Sequence, residues 1–580
     1  MPVHNADIAA VFDEVADLLE IQQASVFRVR AYRNAARVIR DQTSEVATML
    51  ERGEDVTKLP GIGKDLAAQI GEIVTSGTSC KLEELQKQLP AGLVELLKIP
   101  GLGPKKVKLL YDELKITSTE QLAKAAEKGQ LHALPGFGEK TEQAILKALK
   151  TREGFGKRLM LAVAAQYAEP LAAFLSKIKG VKQVVIAGSY RRCKETVGDV
   201  DILVTAKEGT PVMDRFVNYD EVAQVLAEGT TKSTVLLKSG LQVDLRLVPQ
   251  ECFGAALQYF TGSQAHNVAV RDLGVKAHLK INEYGVFRGD ERIAGDTEES
   301  VYQTLGLRWI PPELREARGE IEAARSGHLP HLIELSDIRG DLHSHTKATD
   351  GKNTLAEMAR AAHDFGLEYL AITEHSRRLT VARGLTPERL REHMREIDKL
   401  NEELDGIVLL KSIEVDILQD GSLDLPDDVL EELDLVVASV HSYFNLPRDQ
   451  QTARVLKAMS HPRVTIIGHP SGRLIGVREA YDVDMEKVIK HAAQSGCVLE
   501  VNSHPERLDL TDVYCRMAKE NGVLVAIDSD AHNIYDFNNL RYGVGQARRG
   551  WLEAKDVLNT RSLTEMKKVI SSLKKEPASA

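Results

Sequence analysis

The first 150 residues carry the apolar pattern of helices. Apolar residues recur at three- and four-residue spacing from the start of the chain, as at Ile8, Val11 and Val15. Because this spacing gathers side chains on one face of a helix, residues 1–150 are predicted to be helical throughout. In residues 151–255, strand-like apolar runs appear between short helical segments, which predicts an α/β domain.

After Trp309 the pattern changes again. Residues 311–335 are rich in charge and are predicted to form a linker of helix and loop. From Ile338 onward, short apolar strands alternate with longer helical patterns, which predicts a parallel sheet or barrel of βα units. The seven predicted strands are Ile338–Leu342, Tyr369–Thr373, Val408–Ile413, Leu435–Val440, Val464–Ile467, Cys497–Val501 and Val523–Ile527.

A Pro-Gly-x-Gly motif interrupts the helical region three times, within residues 59–64, 99–104 and 134–139. The glycines permit a tight turn between helices, and the N–H groups that begin the second helix face outward. Such a helix end binds a phosphate whatever the base sequence, so three copies favour DNA contact over plain turns. The predicted DNA contacts are Gly61, Gly63, Gly101, Gly103, Lys105, Gly136 and Gly138. The basic and aromatic residues 27–33 are either a further DNA contact or a solvated helix face.

Acidic residues mark the predicted strands of the α/β domain. Asp199 and Asp201 point the same way because side chains alternate along a strand, and a nearby strand adds Asp244. Three carboxylates on adjacent strands form a site for two divalent cations that bridge phosphate. The turn Gly188-Ser189 before them offers backbone N–H groups to phosphate oxygens. The alternative is a surface strand with scattered acids.

Metal-ligand side chains follow six of the seven later strands, all except the sixth. In barrels of the TIM type the chemistry lies on loops at the carboxyl ends of the strands. A lone histidine is more often structural, but a coincidence at six strand ends indicates a metal site. The predicted ligands are His343, His345, Asp350, His375, Glu414, His441, His469, Asp530 and His532. Nearby basic residues, Arg377, Arg378 and Arg473, are either phosphate contacts or solvated surface arginines.

Composition leaves a DNA-binding enzyme open. The 580-residue chain has a net charge of −10, but nucleic-acid binding depends on where positive charge lies rather than on its total. Its five cysteines include no CxxC pair, which argues against a zinc ribbon or disulfide framework and fits a reducing cytoplasm. Neither a signal peptide nor a membrane-spanning run is evident, so we expect a cytoplasmic protein with no membrane partner.

The run from Gly188 to Arg192 followed by Asp199-Val200-Asp201 resembles the nucleotidyltransferase superfamily, and more closely the family X DNA polymerases typified by polymerase β. The resemblance covers residues 1–310. It implies a lyase-like helical domain (1–85), a helix-hairpin-helix domain (86–150), a nucleotidyltransferase palm (151–255) and a small α+β subdomain that binds the nascent base pair (256–310).

The same resemblance implies roles for individual residues. Asp199, Asp201 and Asp244 match the catalytic acids that bind two Mg²⁺ or Mn²⁺ ions. The positions that match nucleotide ligands are Arg158, Gly188, Ser189, Arg192, Gly198, Tyr259, Phe260, Gly262, Asn267 and Arg271. Among these, Tyr259 to Gly262 match a turn that senses the sugar, and Asn267 and Arg271 match contacts to the minor-groove edges of the bases.

Three positions depart from the family pattern. Gln69 occupies the place of the Schiff-base lysine, and an amide cannot form the imine that lyase chemistry by that route requires. The first domain is therefore predicted to grip a DNA end and its 5′ phosphate, and weak substitution by Lys64 or another lysine is the alternative. Gln242 replaces an arginine bonded to the third carboxylate. Gln264 replaces an aspartate beside the base contacts.

The ordered ligand set of the second half resembles the PHP (polymerase and histidinol phosphatase) domain. This resemblance implies a distorted TIM-like (βα)7 barrel over residues 336–575 with up to three Mn²⁺, Zn²⁺ or Fe²⁺ ions. We expect a monomeric DNA polymerase that fills short gaps in gapped or primed DNA from dNTPs, with a 3′–5′ exonuclease or a related 3′-end or abasic-site phosphoesterase. The alternatives are a barrel that acts as a small-molecule phosphatase or as a silent binding module.

Overall fold

The computed structural model describes residues 5–40, 46–59, 61–90, 92–97, 99, 102–132, 134–138, 141–142, 145 and 158–573. It divides into two compact units. One comprises residues to Arg158 together with Gly476–Arg478, and the other comprises Leu159–Ile475 and the chain from Glu479 onward.

The described part of the first unit contains helices and no strand, as predicted. Its helices are α1 Asn5–Ile21, α2 Val26–Arg40, α3 Val46–Glu51, α4 Lys64–Ser76, α5 Cys80–Gln88, α6 Gly92–Leu97, α7 Pro104–Leu114 and α8 Thr119–Glu127. The predicted apolar stripe of α1 is buried in the core of this unit, with Ile8, Phe12 and Val15 fully covered. Ser79 and Ser118 cap α5 and α8 by accepting hydrogen bonds from backbone N–H groups of the first turn.

The second unit begins with the α/β palm. Its strands are β1 Leu159–Met160, β2 Val181–Ile186, β3 Thr196–Val197, β4 Asp199–Ala206, β5 Val222–Ala227, β6 Lys232–Leu237 and β7 Gln242–Leu247. Five of them form one sheet in the order β2-β4-β7-β6-β5, in which only β4 and β7 are parallel. The helices are α9 Leu161–Ser176, α10 Gly188–Arg191 and α11 Val212–Val217. Alternate residues of β4, Val200, Ile202 and Val204, are buried in the palm core.

A small α+β subdomain follows the palm. Its strands β8 Lys280–Asn282, β9 Gly285–Arg288 and β10 Glu291–Ala294 form an antiparallel sheet. Its helices are α12 Phe253–Thr261, α13 Gln264–Lys276 and α14 Glu298–Gln303, and α15 Glu320–Ser326 lies in the segment predicted as a linker.

The remainder is a parallel βα barrel. Its strands are β11 Gly340–Asp341, β12 Tyr369–Ile372, β13 Val408–Lys411, β14 Glu414–Asp416, β15 Val437–Ser439, β16 Ile466–Ile467, β17 Val498–Asn502 and β18 Val525–Asp528. The third predicted strand is interrupted at Ser412 and Ile413, so that β13 pairs with β12 and β14 pairs with β15. Parallel bridges from His375 to Glu414 and from Ser344 to Ala531 connect the two sheets around the ring. The predicted multidomain fold with a (βα)7 barrel is confirmed.

Eight α-helices belong to the described part of the barrel. They are α16 Leu355–Phe365, α17 Pro387–Asn401, α18 Asp427–Leu430, α19 Arg448–Met459, α20 Met485–Ser495, α21 Asp512–Glu520, α22 Leu540–Arg549 and α23 Leu563–Leu573. Thr354 and Glu357 form a capping box at the start of α16, and Gly366 ends it in a left-handed conformation. Among the described helices, none has the length and apolar character required to cross a membrane.

Candidate active sites

The structure brings the three predicted palm acids together on two neighbouring strands. Asp199 and Asp201 begin β4, and the parallel register places Asp201 opposite Asp244 on β7. Burial, followed by the charges of Asp199 and Asp244, raises the pKa of Asp201 to about 7. Because the three carboxylates repel one another, the oxygen-rich set suits divalent cations.

Gly188 lets the Gly-Ser turn approach these acids closely. A Cβ at this position would lie 2.7 Å from Oδ2 of Asp201, and its φ of +63° is rarely adopted by residues with a side chain. Ser189 follows in α10 and is partly buried, and Gly198 directly precedes Asp199. Arg158, the remaining predicted triphosphate ligand of this region, is exposed.

Arg192 lies at the end of the same turn and is already engaged. Its Nε donates to Oε1 of Glu316 at 3.1 Å, and its Nη1 donates to the carbonyl of Thr261. The preceding Arg191 forms a two-bond pair with the buried Glu298, at 2.8 and 2.7 Å, and Glu298 also accepts from Arg315 at 2.6 Å. The turn that contains Gly188 and Ser189 is therefore held in place by the ion pairs of Arg191 and Arg192.

The predicted sugar-sensing turn ends α12. The rings of Tyr259 and Phe260 meet edge to face with centroids 5.0 Å apart, and the Arg246 guanidinium lies 4.1 Å over the Phe260 ring. Gly262 follows with a φ of +72°. Asn267 donates to the carbonyl of Tyr259 at 2.7 Å, so in this structure it braces the turn, whereas the predicted base contact Arg271 is exposed.

Gln242 occupies the place of the family arginine and still contacts the third acid. Its Nε2 donates to Oδ2 of Asp244 at 3.1 Å, while Thr234 donates to the other carboxylate oxygen. Lys232 lies 3.6 Å from that second oxygen. The amide therefore orients Asp244 without adding the positive charge that an arginine would bring.

The barrel gathers eight of its nine predicted ligands into three overlapping groups. The groups are His343, His345 and Asp530; His345, Asp350, His375 and His532; and His375, Glu414 and His441. Within each group, one candidate ligand atom from every residue lies within 4.8 Å of the others. Only Asp350, His441 and His532 among these side chains are more than slightly exposed.

Glu414 lies at the centre of the set and brings in the ninth residue. Its carboxylate is 2.7 Å from Nδ1 of His375, 3.2 Å from Nε2 of His441 and 2.9 Å from Nε2 of His469. Because the strands lie side by side around the barrel, their carboxyl ends bring residues that are distant in sequence into contact with the Glu414 carboxylate.

A layer of acids behind the ligands was missed from the sequence. Oε1 of Glu500 lies 2.6 Å from Nδ1 of His343, and its Oε2 accepts from the His469 N–H at 2.5 Å. Asp416 lies 3.1 Å from Nδ1 of His441, and Asn502 donates to Asp530 at 3.0 Å. Glu500 and Asn502 come from β17, the strand predicted to contribute nothing. Because side chains alternate along a strand, Glu500 and Asn502 lie on the same face of β17 as Val498. This alternation was the sequence signal that could have identified them.

These residues fit divalent metal ions. Nε2 of His343 is buried and makes no hydrogen bond, although it lies 3.6 Å from both Glu414 and Asp530. Burial opposes the charged ring of His441, but Glu414 and Asp416 outweigh it and raise its pKa to about 10. A cation in this acidic cluster would take the place of such protons.

The other polar residues near the barrel site have different environments. Glu374, next to the predicted ligand His375, accepts from Thr346 and Thr349 and belongs to none of the three groups. Arg377 and Arg378 are exposed at the rim. Arg473 donates to Glu195 of the palm at 2.7 Å and to backbone carbonyls of the barrel, so it joins the two domains.

The hairpin turns of the first unit repeat one geometry. The residue between the glycines, Ile62, Leu102 or Phe137, is buried and donates to the carbonyl three residues earlier at 3.1, 3.0 and 3.0 Å. The described motif glycines Gly61, Gly63, Gly103, Gly136 and Gly138 are exposed, with open space where a Cβ would lie. Lys105 is exposed, and Gly101 lies outside the described residues.

The first helical domain lacks a lysine at the position expected for imine chemistry. Gln69 there exchanges hydrogen bonds with the Tyr32 hydroxyl at 3.1–3.3 Å. In the basic strip, Phe27 is 82% exposed, but Arg33 pairs with Asp17 and its acidic neighbours on α1. Arg33 is therefore held by the acids of α1.

Five family models match successive parts of the chain. They are the helix-hairpin-helix domain (3–79), the SAM-like helix-hairpin-helix tandem (93–151), the DNA polymerase beta palm (163–259), the DNA polymerase beta thumb (256–316) and the PHP domain (341–504). Together they describe a nucleotidyltransferase palm with DNA-binding helical domains and a metallo-phosphoesterase barrel.

Relatives extend the match to the whole chain. The "DNA polymerase/3′-5′ exonuclease PolX" of Bacillus subtilis (strain 168) is 40% identical over 568 residues, 97% of this chain and 99% of that protein. A "probable phosphatase" of Thermoanaerobacter sp. (strain X514) is 31% identical over 231 residues, 38% of this chain and 89% of that protein. The chain belongs to the family X DNA polymerases that carry a PHP domain.

Proposed function

We propose that this protein fills short gaps in DNA with its palm and removes 3′-terminal nucleotides with its barrel. The observation that carries the proposal is the presence of two unlike acidic sites in one compact unit. They are the carboxylates of β4 and β7 and the barrel set of eight grouped residues with His469. The Bacillus subtilis relative, similar along its whole length, bears both activities in its name.

In the palm, Asp199, Asp201 and Asp244 would hold two Mg²⁺ or Mn²⁺ ions, which supply positive charge to the attacking and leaving oxygens of phosphoryl transfer. The Gly188-Ser189 turn gives the triphosphate backbone N–H groups at close range, because no Cβ intervenes. Arg192 pairs with its oxygens in place of Glu316.

The nucleotide sugar would rest against Tyr259, Phe260 and Gly262, with Arg271 reaching the minor-groove edge. Exposed motif glycines of the first unit would follow the DNA backbone through N–H groups at the starts of α4 and α7. The substrates are thus a gapped or primed duplex and dNTPs.

In the barrel, the nine ligands would hold up to three Mn²⁺, Zn²⁺ or Fe²⁺ ions, which activate water and stabilise the leaving oxygen of a phosphodiester. Glu500 and Asp416 fix the ring orientation of His343 and His441 and make those rings better ligands. The exposed Arg377 and Arg378 at the rim would hold the DNA phosphates. The same site would serve a 3′-phosphate or an abasic end.

A second candidate is hydrolysis of a small phosphate ester by the barrel alone. The match of the barrel region to most of a probable phosphatase favours it. Both candidates use the same ligands, so the substrate decides between them.

The test is a 5′-labelled primer on a gapped duplex, incubated with the full-length protein and Mn²⁺, with and without dNTPs. Asp201→Ala should abolish extension and keep 3′ shortening and DNA binding. His343→Ala/His345→Ala should abolish shortening and keep extension. Glu208→Ala and His363→Ala, exposed residues of the palm and barrel, are matched controls and should resemble the wild type.

Each failure has a distinct meaning. Normal extension by Asp201→Ala would reject the palm assignment, and shortening unaffected by the histidine pair would reject the barrel assignment. Histidine-dependent hydrolysis of a small phosphomonoester, without any 3′ shortening of DNA, would select the second candidate.

A further inference from the structure

A row of alternating charges leads from the palm turn into the barrel. Arg192 of the palm and Arg549 at the end of α22 both donate to the same oxygen of Glu316, at 3.1 and 3.0 Å. Arg549 also donates to Asp512 on α21 at 2.6 Å, and Asp512 accepts from Arg318 at 2.9 Å. The proposed triphosphate ligand is thus two ion pairs away from the barrel helices.

These ion pairs are shielded from water. The Arg549 side chain is 2% exposed, and those of Arg192, Glu316 and Asp512 are 13%, 15% and 14% exposed. Breaking a buried pair leaves an uncompensated charge and costs far more than breaking a surface pair. Arg549 also donates to the backbone carbonyl of Arg192 at 2.9 Å, which fixes its position beside the turn.

Nucleotide binding requires an exchange at Glu316. A triphosphate recruits Arg192 only if that guanidinium leaves the Glu316 carboxylate, so Glu316 competes with the nucleotide. When Arg192 leaves, Arg549 still neutralises Glu316, which makes the exchange less costly. Without Arg549, the mostly buried Glu316 carboxylate would have lost its principal remaining partner once Arg192 leaves.

We propose that Glu316 and Arg549 set the nucleotide affinity of the palm as positioning residues that act through Arg192. Glu316 lowers the affinity by holding Arg192, and Arg549, which belongs to the barrel, raises it by holding Glu316. This inference rests on the proposed role of Arg192 in binding the triphosphate. It makes nucleotide affinity dependent on the docking of the barrel against the palm.

The test measures the dissociation constant of a dNTP for the full-length protein on gapped DNA with a dideoxy-terminated primer, and KM and kcat on an extendable primer. Glu316→Gln should lower the dissociation constant about fivefold and Arg549→Met should raise it about fivefold, within the range of coupling between contacting residues. Most of each change should appear in KM. In the double variant, removal of Arg549 should have no further effect.

Matched controls lie close by in the sequence, one residue before Arg549 and three residues before Glu316. Arg548 precedes Arg549 on α22 and pairs with Glu313 at 2.7 Å, a contact of the same kind that does not reach Arg192. Arg548→Met and Glu313→Gln remove the same charges, and both should leave the dissociation constant within twofold of the wild type. Since damage to the fold does not tighten binding, the gain expected for Glu316→Gln separates the proposed role from a structural one.

The outcomes are distinguishable. Unchanged or weaker binding in Glu316→Gln, additive effects in the double variant, or equal effects of the control pair would overturn the inference. Arg192→Ala tests the proposed role of Arg192 in binding the triphosphate, on which the inference rests. Weaker dNTP binding in Arg192→Ala keeps the proposed triphosphate role whatever the other variants show, whereas unchanged binding rejects both that role and this inference.

Discussion

The palm and the barrel use acidic residues in opposite ways. In the palm, three carboxylates lie on an open sheet, and Asp199 at the start of β4 is exposed. In the barrel, predicted ligands from six strand ends form one connected cluster, in which histidines from four other strand ends contact Glu414, a residue that is 1% exposed. Among the residues that the structure describes, groups of three or more ligand side chains within 4.8 Å occur only in the barrel.

For the two proposed metal sites, this difference predicts what completes each one. An open set of carboxylates leaves room for nucleotide phosphates to supply the remaining oxygens, as expected where metal arrives with substrate. The closed barrel would supply nearly all of the proposed ligands itself and orient them with a further layer of acids. The palm therefore depends on close approach of the substrate, and the barrel depends on its own supporting residues.

The largest expected effect tests whether the palm needs the close approach of the Gly188 turn to Asp201. Gly188→Ala should lower nucleotide incorporation about 100-fold, because a Cβ would press on Asp201 and displace the phosphate-binding turn. Shortening of the 3′ end should persist. Gly209→Ala, also in the palm at a φ of +76° but with nothing within 4 Å of its Cβ, should have little effect on incorporation. Equal losses in both variants would attribute the effect to backbone strain alone.

The second prediction tests the supporting layer of the barrel. Glu500→Gln should lower 3′ shortening about 30-fold, since loss of a residue that orients a ligand typically costs about 10- to 100-fold. Extension by the palm should stay normal, and a higher Mn²⁺ concentration should restore part of the shortening. Wild-type shortening at low Mn²⁺ would mean that the barrel does not need this layer.

The third prediction concerns the ion pairs behind the palm turn. Burial opposes ionisation of Glu298, but Arg315 and Arg191 outweigh it and lower its pKa to about 2. Glu298→Gln should therefore destabilise the second unit by about 1.5 kcal/mol at neutral pH, measured by chemical denaturation. A lowered pKa in the folded state gives stability above the unfolded pKa of about 4.3, and that stability is lost as the pH falls toward 2.

The wild-type advantage over Glu298→Gln should accordingly shrink between pH 4.3 and pH 2. Glu299→Gln, on the same helix, is the matched control. A difference between wild type and Glu298→Gln that is independent of pH would indicate lost packing rather than lost charge.

The smallest expected effect concerns the orientation of Asp244. Gln242→Ala should lower incorporation about fivefold, because loss of one hydrogen bond from an uncharged amide costs about 1 kcal/mol. The predicted loss is smaller than that for Glu500→Gln, because Thr234 also donates to Asp244. A loss as large as that of Glu500→Gln would show that the palm depends on supporting residues as strongly as the barrel does.

Sequence patterns anticipated most of the fold. Helical spacing in residues 1–150 and alternating βα patterns after Ile338 predicted the confirmed architecture, because periodicity reports which face of each element is buried. The bounds were less accurate. The predicted strand Val408–Ile413 stops at Lys411, and the predicted strand Cys497–Val501 continues to Asn502. That one residue carries a side chain bonded to Asp530.

Pairings between distant residues could not be predicted in this way. The sequence leaves Arg473 open as a contact to DNA phosphate, but its side chain binds Glu195 of the palm. The family resemblance assigns Arg192 to the triphosphate and gives no sign of its bond to Glu316. Such contacts depend on how the domains dock. They cannot be predicted from sequence because the same charged residue type occurs at solvent-exposed positions and in ion pairs between domains.

The sequence by itself determined the chemistry proposed for this protein: two sets of predicted metal ligands, four predicted phosphate-binding turns and the elements that bear them. Local spacing and residue type are sufficient for that, because they act within a strand, a turn or a helix. The tertiary structure decided which acids support the ligands and which charges pair across domains. Those contacts arise from closure of the barrel and its packing against the palm, which bring together residues such as Arg192, Glu316 and Arg549.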